Sequence, residues 1–190
     1  MHLGRIALIT TAASTLCLVA HYCADPTLTT FAGPQKAAVS PGKPNDSFRQ
    51  FHKVLSNAEK RHILDGQFTL VVSTQAMPEP LKKAFTVVTR EQEFELANPG
   101  QKYQATDVIE EGHLTSRRFI FGGANGDKWF IHYEHGGIGH SYAVVVFAKT
   151  TQGGWEFLWG GVAFQRAKDL DDLRKKIADG RFHDDRRYYW

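Results

Sequence analysis

Residues 117–164 read RRFIFGGANGDKWFIHYEHGGIGHSYAVVVFAKTTQGGWEFLWGGVAF, and this stretch decides the fold. It contains four runs rich in aromatic and β-branched residues, a composition typical of β-strands. Three glycine-containing segments separate the runs: Asn125-Gly126, Gly136-Gly137-Ile138-Gly139 and Gly153-Gly154. Because short glycine turns join antiparallel neighbours, the stretch predicts a four-stranded antiparallel meander.

The segments around the meander predict helices and one more strand. Apolar residues recur at helical spacing on both sides of the β-rich run Gln67–Thr74. Ser56 and Glu59 have the spacing of a capping box, so the first helical run is either one helix or two. After the meander, a helix is expected between Asp169 as its N-cap and Gly180 as its end. The sequence thus predicts an α+β fold in which helix-strand-helix precedes the meander and a C-terminal helix follows.

The N-terminal part of the chain has a different character. Residues 1–24 have the pattern of a signal peptide, because Arg5 precedes the uncharged, mostly apolar run Ile6–Ala20. That run is shorter than the ~20 residues of a membrane-spanning helix, so we expect no stable membrane span after cleavage. Residues 25–44 are rich in proline and small residues and predict a flexible linker. A single domain over residues 45–190 and a periplasmic or secreted location follow.

Composition excludes several classes of function. The two cysteines, Cys17 and Cys23, both lie in the predicted signal peptide, so the processed chain would lack disulfides, thiolate nucleophiles and cysteine-ligated zinc. Secreted domains of animals usually carry disulfides, so this favours a bacterial cell envelope. The basic residues are dispersed and the net charge is only +3, so no nucleic-acid partner is predicted.

The turn lengths predict which side chains share a face of the sheet. A two-residue turn at Asn125-Gly126 puts Phe121 opposite Phe130, and a four-residue glycine loop puts His135 opposite His140. One face then carries Phe119, Phe121, Phe130, His132, Glu134, Ser141, Ala143, Val145 and Phe147. The other carries Ile120, Trp129, Ile131, Tyr133, His135, His140, Tyr142, Val144 and Val146. Both faces are largely apolar, so we expect helices on one and the strand at Gln67 on the other.

Two groups of polar residues suggest chemistry without completing it. His132, Glu134 and Ser141 share the predicted face and resemble a base, an orienting acid and a nucleophile. Nucleophilic serines normally lie on tight turns, so a buried histidine bonded to a glutamate is the simpler interpretation. His135 and His140 would face each other across the loop as metal ligands, but zinc takes three or four. We therefore assign no catalytic residues, no metal and no cofactor.

The glycine loop is the predicted binding surface. Its glycines allow close approach of a partner, and flanking histidines and tyrosines offer hydrogen bonds and flat contact area, although a plain turn explains the glycines equally well. The predicted binding residues are Tyr133, His135, Gly136, Gly137, Gly139, His140 and Tyr142. We expect an exported, non-catalytic binding protein whose partner is another envelope or secreted protein. The alternatives are a small envelope hydrolase using the His, Glu and Ser residues, and a small-ligand pocket with His132 as its polar group.

Overall fold

The computed structural model describes residues 53–108 and 112–184; the predicted signal peptide and linker and the aromatic C-terminus, Tyr188 to Trp190, lie outside the described residues. The elements follow the predicted order: α1 (Asn57–His62), β1 (Thr69–Val71), a 3₁₀ turn (Thr74–Ala76), α2 (Glu79–Thr89), β2 (Arg117–Ala124), β3 (Lys128–His135), β4 (Ser141–Lys149), β5 (Trp155–Ala163) and α3 (Leu170–Ala178). The α+β prediction is confirmed. None of the helices in this part of the chain is long and apolar enough to cross a membrane.

The sheet has five antiparallel strands in the order β1-β2-β3-β4-β5. β1 pairs with the end of β2, where Leu70 lies opposite Gly123. The expectation that this strand would cover a face of the meander is therefore wrong, because it extends the same sheet at its edge. Ala97 hydrogen-bonds the other end of β2, at Arg117 and Phe119. The edge of β2 is thus paired at both of its ends.

Helices cover both faces of the sheet. On the face that we call the α2 face, helix α2 contributes Leu81, Phe85 and Val88 to a buried cluster with sheet residues Phe119, Trp129, Ile131, Tyr133, Ala143, Val145, Phe147 and Val162. On the opposite α3 face, Leu173 and Ile177 of α3 pack on Ile120, Phe121, Phe130, Val144, Val146 and Trp159. These two clusters bury most of the apolar surface that stabilises the fold.

The predicted helix ends are confirmed by their hydrogen bonds. The Ser56 hydroxyl accepts from the Glu59 amide at 3.2 Å, and the Glu59 carboxylate accepts from the Ser56 amide at 2.9 Å, which completes the capping box. The Asp169 carboxylate accepts from the Asp172 amide at 2.8 Å and caps α3. Gly180 ends that helix with a φ of 69°.

The β2–β3 register differs from the prediction by two residues. Ala124 pairs with Trp129, because the turn closes through the Asn125 amide and the Lys128 carbonyl rather than at Asn125-Gly126. A two-residue shift by itself keeps side chains on their predicted faces, and Phe121, Phe130 and His132 do share one face. A β-bulge between Phe119 and Phe121 then interrupts the pairing, so Phe119 lies on the α2 face and Ile120 on the α3 face.

The predicted β3–β4 register is wrong by one residue, and this error has a larger consequence than the one between β2 and β3. His135 pairs with Ser141 rather than His140, so the loop contains five residues, Gly136 to His140. A one-residue shift moves a whole strand's side chains to the opposite faces. Val144 and Val146 consequently share the α3 face with His132, while Ser141 shares the α2 face with Tyr133.

Candidate functional site

The candidate site lies at the end of the sheet where the five-residue loop joins β3 to β4. Gly137 and Gly139 have φ values of 106° and 104°, which L side chains rarely adopt. Gly136 is required for another reason: a methyl group there would collide with the backbone of Gln104 and Ala105. The close approach that these glycines predict for a partner is thus made, at Gly136, by the chain itself.

Hydrogen bonds on two sides hold this loop. The Gly136 amide donates to the Ser116 carbonyl at 2.9 Å, and the Gly137 amide donates to the Ala105 carbonyl at 3.3 Å. The segment at Ala105 is itself tied back, because the Gln104 amide donates to the Thr115 carbonyl at 2.9 Å. The first two residues of the loop are therefore held in place by the chain itself.

Glu134 organises the polar groups beside the loop. The residue is only 5 % exposed, and its carboxylate accepts from Arg118 Nε at 2.5 Å, from the Tyr103 hydroxyl at 3.0 Å and from His140 Nε2 at 3.0 Å. Burial raises the pKa of Glu134, but the hydrogen bonds from Arg118 and Tyr103 and the Arg118 charge lower it by a larger amount. The net pKa is therefore below its usual value. Glu134 is thus ionised at neutral pH. Burial and the Glu134 charge raise the pKa of Tyr103 to about 12.

His140 extends from this carboxylate towards the surface. Its ring lies against Tyr142, with 5.0 Å between ring centres and 31° between planes, and 6.5 Å from the centre of Tyr103. Its side chain is 42 % exposed. In the described part of the chain, its second ring nitrogen has no hydrogen-bond partner, so one polar atom remains available.

Ile138 lies at the tip of the loop and is 90 % exposed, more than any other large apolar side chain among the described residues. We call Tyr103, Ile138, His140 and Tyr142 together the loop surface. It combines one aliphatic side chain, two tyrosines and a histidine. Aromatic side chains that offer both flat area and hydrogen bonds are enriched in protein interfaces.

The three residues that resemble a catalytic set are not brought together. His132 is fully buried: its Nδ1 donates to the Ala143 carbonyl at 2.8 Å, and its Nε2 accepts from the Ala167 amide at 3.2 Å. Burial lowers the pKa of His132 to about 4, so the ring is neutral. Ser141 lies on the opposite face of the sheet, contrary to the predicted grouping. Glu134 lies in β3 on the face of His132, but it bonds side chains beside the loop.

The other predicted residues also divide. Tyr133 is fully buried on the α2 face, 5.4 Å from the ring of Phe85, and so belongs to the core rather than to a contact surface; burial raises its pKa to about 12. His135 lies on that face as well, whereas His140 bonds Glu134 on the other. Over residues 53–108 and 112–184, no three potential metal ligands cluster.

Tyr103 and Arg118 complete the site but are absent from the sequence prediction. Tyr103 lies in the weakly patterned stretch before the meander, which carries no signal of a site. The Arg118 guanidinium lies 4.3 Å from the centre of the Tyr103 ring, and Arg118 is directly opposite Glu134 in the sheet. The correct β2–β3 register would have revealed that last pair.

Comparison of the chain with protein-family models, curated proteins and solved structures gave no match.

Proposed function

We propose that the protein is a non-catalytic binding protein that contacts another protein through the loop surface. The observation that carries this proposal is Ile138, which is 90 % exposed and directly follows Gly136 and Gly137, whose amides are held by backbone hydrogen bonds. An apolar side chain on a fixed loop loses little conformational entropy when a partner covers it. Tyr142 and His140 beside it supply the aromatic area and hydrogen bonds that anchor interfaces.

The charges near the loop surface restrict the chemistry of the partner. Arg118 and Glu134 form an ion pair with each other, so neither presents an uncompensated charge beside the exposed Ile138 and the half-buried Tyr103 and Tyr142. A partner with an apolar pocket for Ile138 and hydrogen-bonding groups around it is complementary. Because residues 1–24 have the pattern of an export signal, we propose a periplasmic or secreted location and an envelope or secreted partner.

Site-specific photocrosslinking in the producing cells tests this proposal. A benzophenone amino acid is placed at Ile138 and, as a matched control, at Val87, which is 64 % exposed on α2. We expect a crosslinked protein from position 138 that is absent from position 87 and that excess unlabelled protein competes away. Identical products from both positions, or none from position 138, would contradict the proposal.

A second candidate function, a small hydrolase, is supported by the 3.0 Å contact between Glu134 and His140 Nε2. A carboxylate that orients a partly exposed histidine is the arrangement of a general base. Ser141 is on the other face, so the nucleophile would be water. If the wild type hydrolyses chromogenic esters and His140→Ala does not, this function is supported. If the wild type is no more active than His140→Ala, it is ruled out.

The small-ligand pocket has less support. Both ring nitrogens of His132 are already occupied by Ala143 and Ala167. The ring is also packed between aromatic side chains, 5.2 Å from Phe121 and 6.0 Å from Phe182. His132 therefore has no polar atom left to hold a ligand.

A further inference from the structure

A second surface feature lies at the same end of the sheet, next to the strand end at Ala163. It is a cavity of about 210 Å³, lined by Ala163, Phe164, Gln165, Lys176, Arg181 and His183. Ala163 pairs with Tyr142, so the cavity begins one strand beyond the loop surface, but the two share no residue. Three of the six lining side chains are basic or imidazole groups. Among these lining residues there is no carboxylate.

The backbone around the cavity is fixed by the end of α3. The Gly180 amide donates to the Ile177 carbonyl at 3.0 Å, and the Arg181 amide donates to the Lys176 carbonyl at 2.8 Å. This pair of bonds is the Schellman motif, with Gly180 in the left-handed conformation that the motif requires. The chain then pairs with β5, because His183 and Val162 exchange backbone hydrogen bonds at 2.8 and 2.9 Å. The positions of Arg181 and His183 are therefore set.

The two contact positions of this motif hold basic residues. A Schellman motif is frequently accompanied by an apolar contact between the residue after the glycine and the residue that starts the last turn. Here those positions hold Arg181 and Lys176, two cations that line the same cavity. Lys176 is accounted for by Asp172 at 2.5 Å and by the Arg166 carbonyl at 3.0 Å. In the described residues, no hydrogen bond or ion pair engages the Arg181 side chain.

Basic side chains are common at the C-terminal end of a helix, but here they also line a cavity. We propose that this cavity binds an oxyanion, a phosphate or a carboxylate, on a small molecule whose apolar part lies against Phe164. Arg181 supplies a planar set of N–H donors that matches two oxygens of such a group. His183 and Gln165 add donors from the neighbouring segments. Phe164, 70 % exposed at the rim, offers the apolar contact.

Calorimetric titration of the full chain with phenyl phosphate, benzoate and inorganic phosphate tests this site. We expect phenyl phosphate or benzoate to saturate one site, and the tighter of the two identifies the group. Arg181→Leu should weaken that binding by at least about tenfold, as loss of a charge-assisted hydrogen bond does. Arg61→Leu, at an exposed position in α1, is the matched control and should bind like the wild type.

Two further measurements keep the outcome clear. Arg181→Leu puts an apolar side chain beside the aliphatic stem of Lys176, so without ligand it should melt at or above the wild-type temperature; a lower temperature would show that Arg181 serves the fold. Phe164→Ala should remove the preference for phenyl phosphate over inorganic phosphate. Absence of saturation by either aromatic probe, or equal binding by Arg181→Leu and the wild type, would overturn the site. None of these variants alters the loop surface, so the result is independent of the proposed function.

Discussion

Strand β3 places two polar residues on the same face of the sheet, and they are used in opposite ways. His132 lies in the α3-face core, where both ring nitrogens bond the backbone of the protein itself. Glu134, two residues later, bonds Arg118, Tyr103 and His140 beside the loop, and His140 reaches the surface. Burial alone therefore does not identify a functional residue here. What distinguishes the two regions is whether the hydrogen-bonding groups are all used internally.

Removal of His132 should have the largest effect on stability. His132→Ala leaves a cavity among aromatic side chains and removes the side-chain partner of the Ala143 carbonyl and the Ala167 amide, so it should lower the free energy of unfolding by roughly 3 kcal/mol or more. Urea denaturation measures this. His62→Ala, whose side chain is 73 % exposed, is the control and should cost less than about 0.5 kcal/mol. Equal costs for the two variants would contradict the account of the core.

The same histidine predicts a pH dependence. Its pKa is lowered from 6.5 to about 4 in the folded protein, so the folded state disfavours the proton that the unfolded chain takes up. The contribution of His132 to the free energy of unfolding is fully present above pH 6.5. It falls by roughly 3 kcal/mol as the pH decreases from 6.5 to about 4. Urea denaturation across this range should show the fall in the wild type and a smaller one in His132→Gln. Parallel curves for the two proteins would show that His132 titrates normally.

At the loop, Gly136→Ala should have the next largest effect. The added methyl group collides with the backbone of Gln104 and Ala105, so the segment must move, at a cost of roughly 1 to 3 kcal/mol. Hydrogen exchange of the Gly137 amide should also accelerate, because its bond to Ala105 is disturbed. Gly154→Ala is the control, since a methyl group there lies 3.3 Å from the Thr150 hydroxyl. A Gly136 variant as stable as this control would show that the two segments do not touch.

Glu134→Gln should cost less, about 1 to 2 kcal/mol at neutral pH, because Arg118 loses its ion pair while the amide keeps hydrogen bonds. The pKa of Glu134 is lowered in the folded state, so its contribution is present above pH 4.5 and is lost as the pH falls further. The difference between wild type and variant in urea denaturation should therefore shrink below pH 4.5. Glu93→Gln, at an exposed position, should show no such difference.

The elements of this fold could be predicted because their signals are local. The Ser56 capping box, the Asp169 cap and the alternation of β-type runs with glycine turns each act within a few residues. Coverage of both faces also followed, since both faces of the meander are apolar. The helices that cover them, α2 and α3, were among those predicted, although the fifth strand lies at the sheet's edge.

The candidate site could not be predicted to the same extent, because it depends on register. His140 lies in the loop, where it bonds Glu134 and packs on Tyr142. The loop is therefore one residue longer than predicted, and every side chain of β4 lies on the face opposite to its predicted one. Glycine counts do not reveal where a loop ends. Tyr103 reaches the site through a long connection without periodicity. Contacts of that kind, between segments distant in sequence, leave no pattern in a single chain.

The affinity of the loop surface for the protein crosslinked at position 138 tests the central claim most directly. Ile138→Asp should keep the free energy of unfolding within about 0.5 kcal/mol of the wild type, whereas His140→Ala, which loses the hydrogen bond to Glu134, should lower it by about 1 kcal/mol. Each should weaken binding by at least about tenfold, because hot-spot side chains cost more than ~1 kcal/mol when removed. Val87→Asp is the control and should bind unchanged. If both loop variants bind as tightly as this control, the loop is only a turn and the protein acts elsewhere.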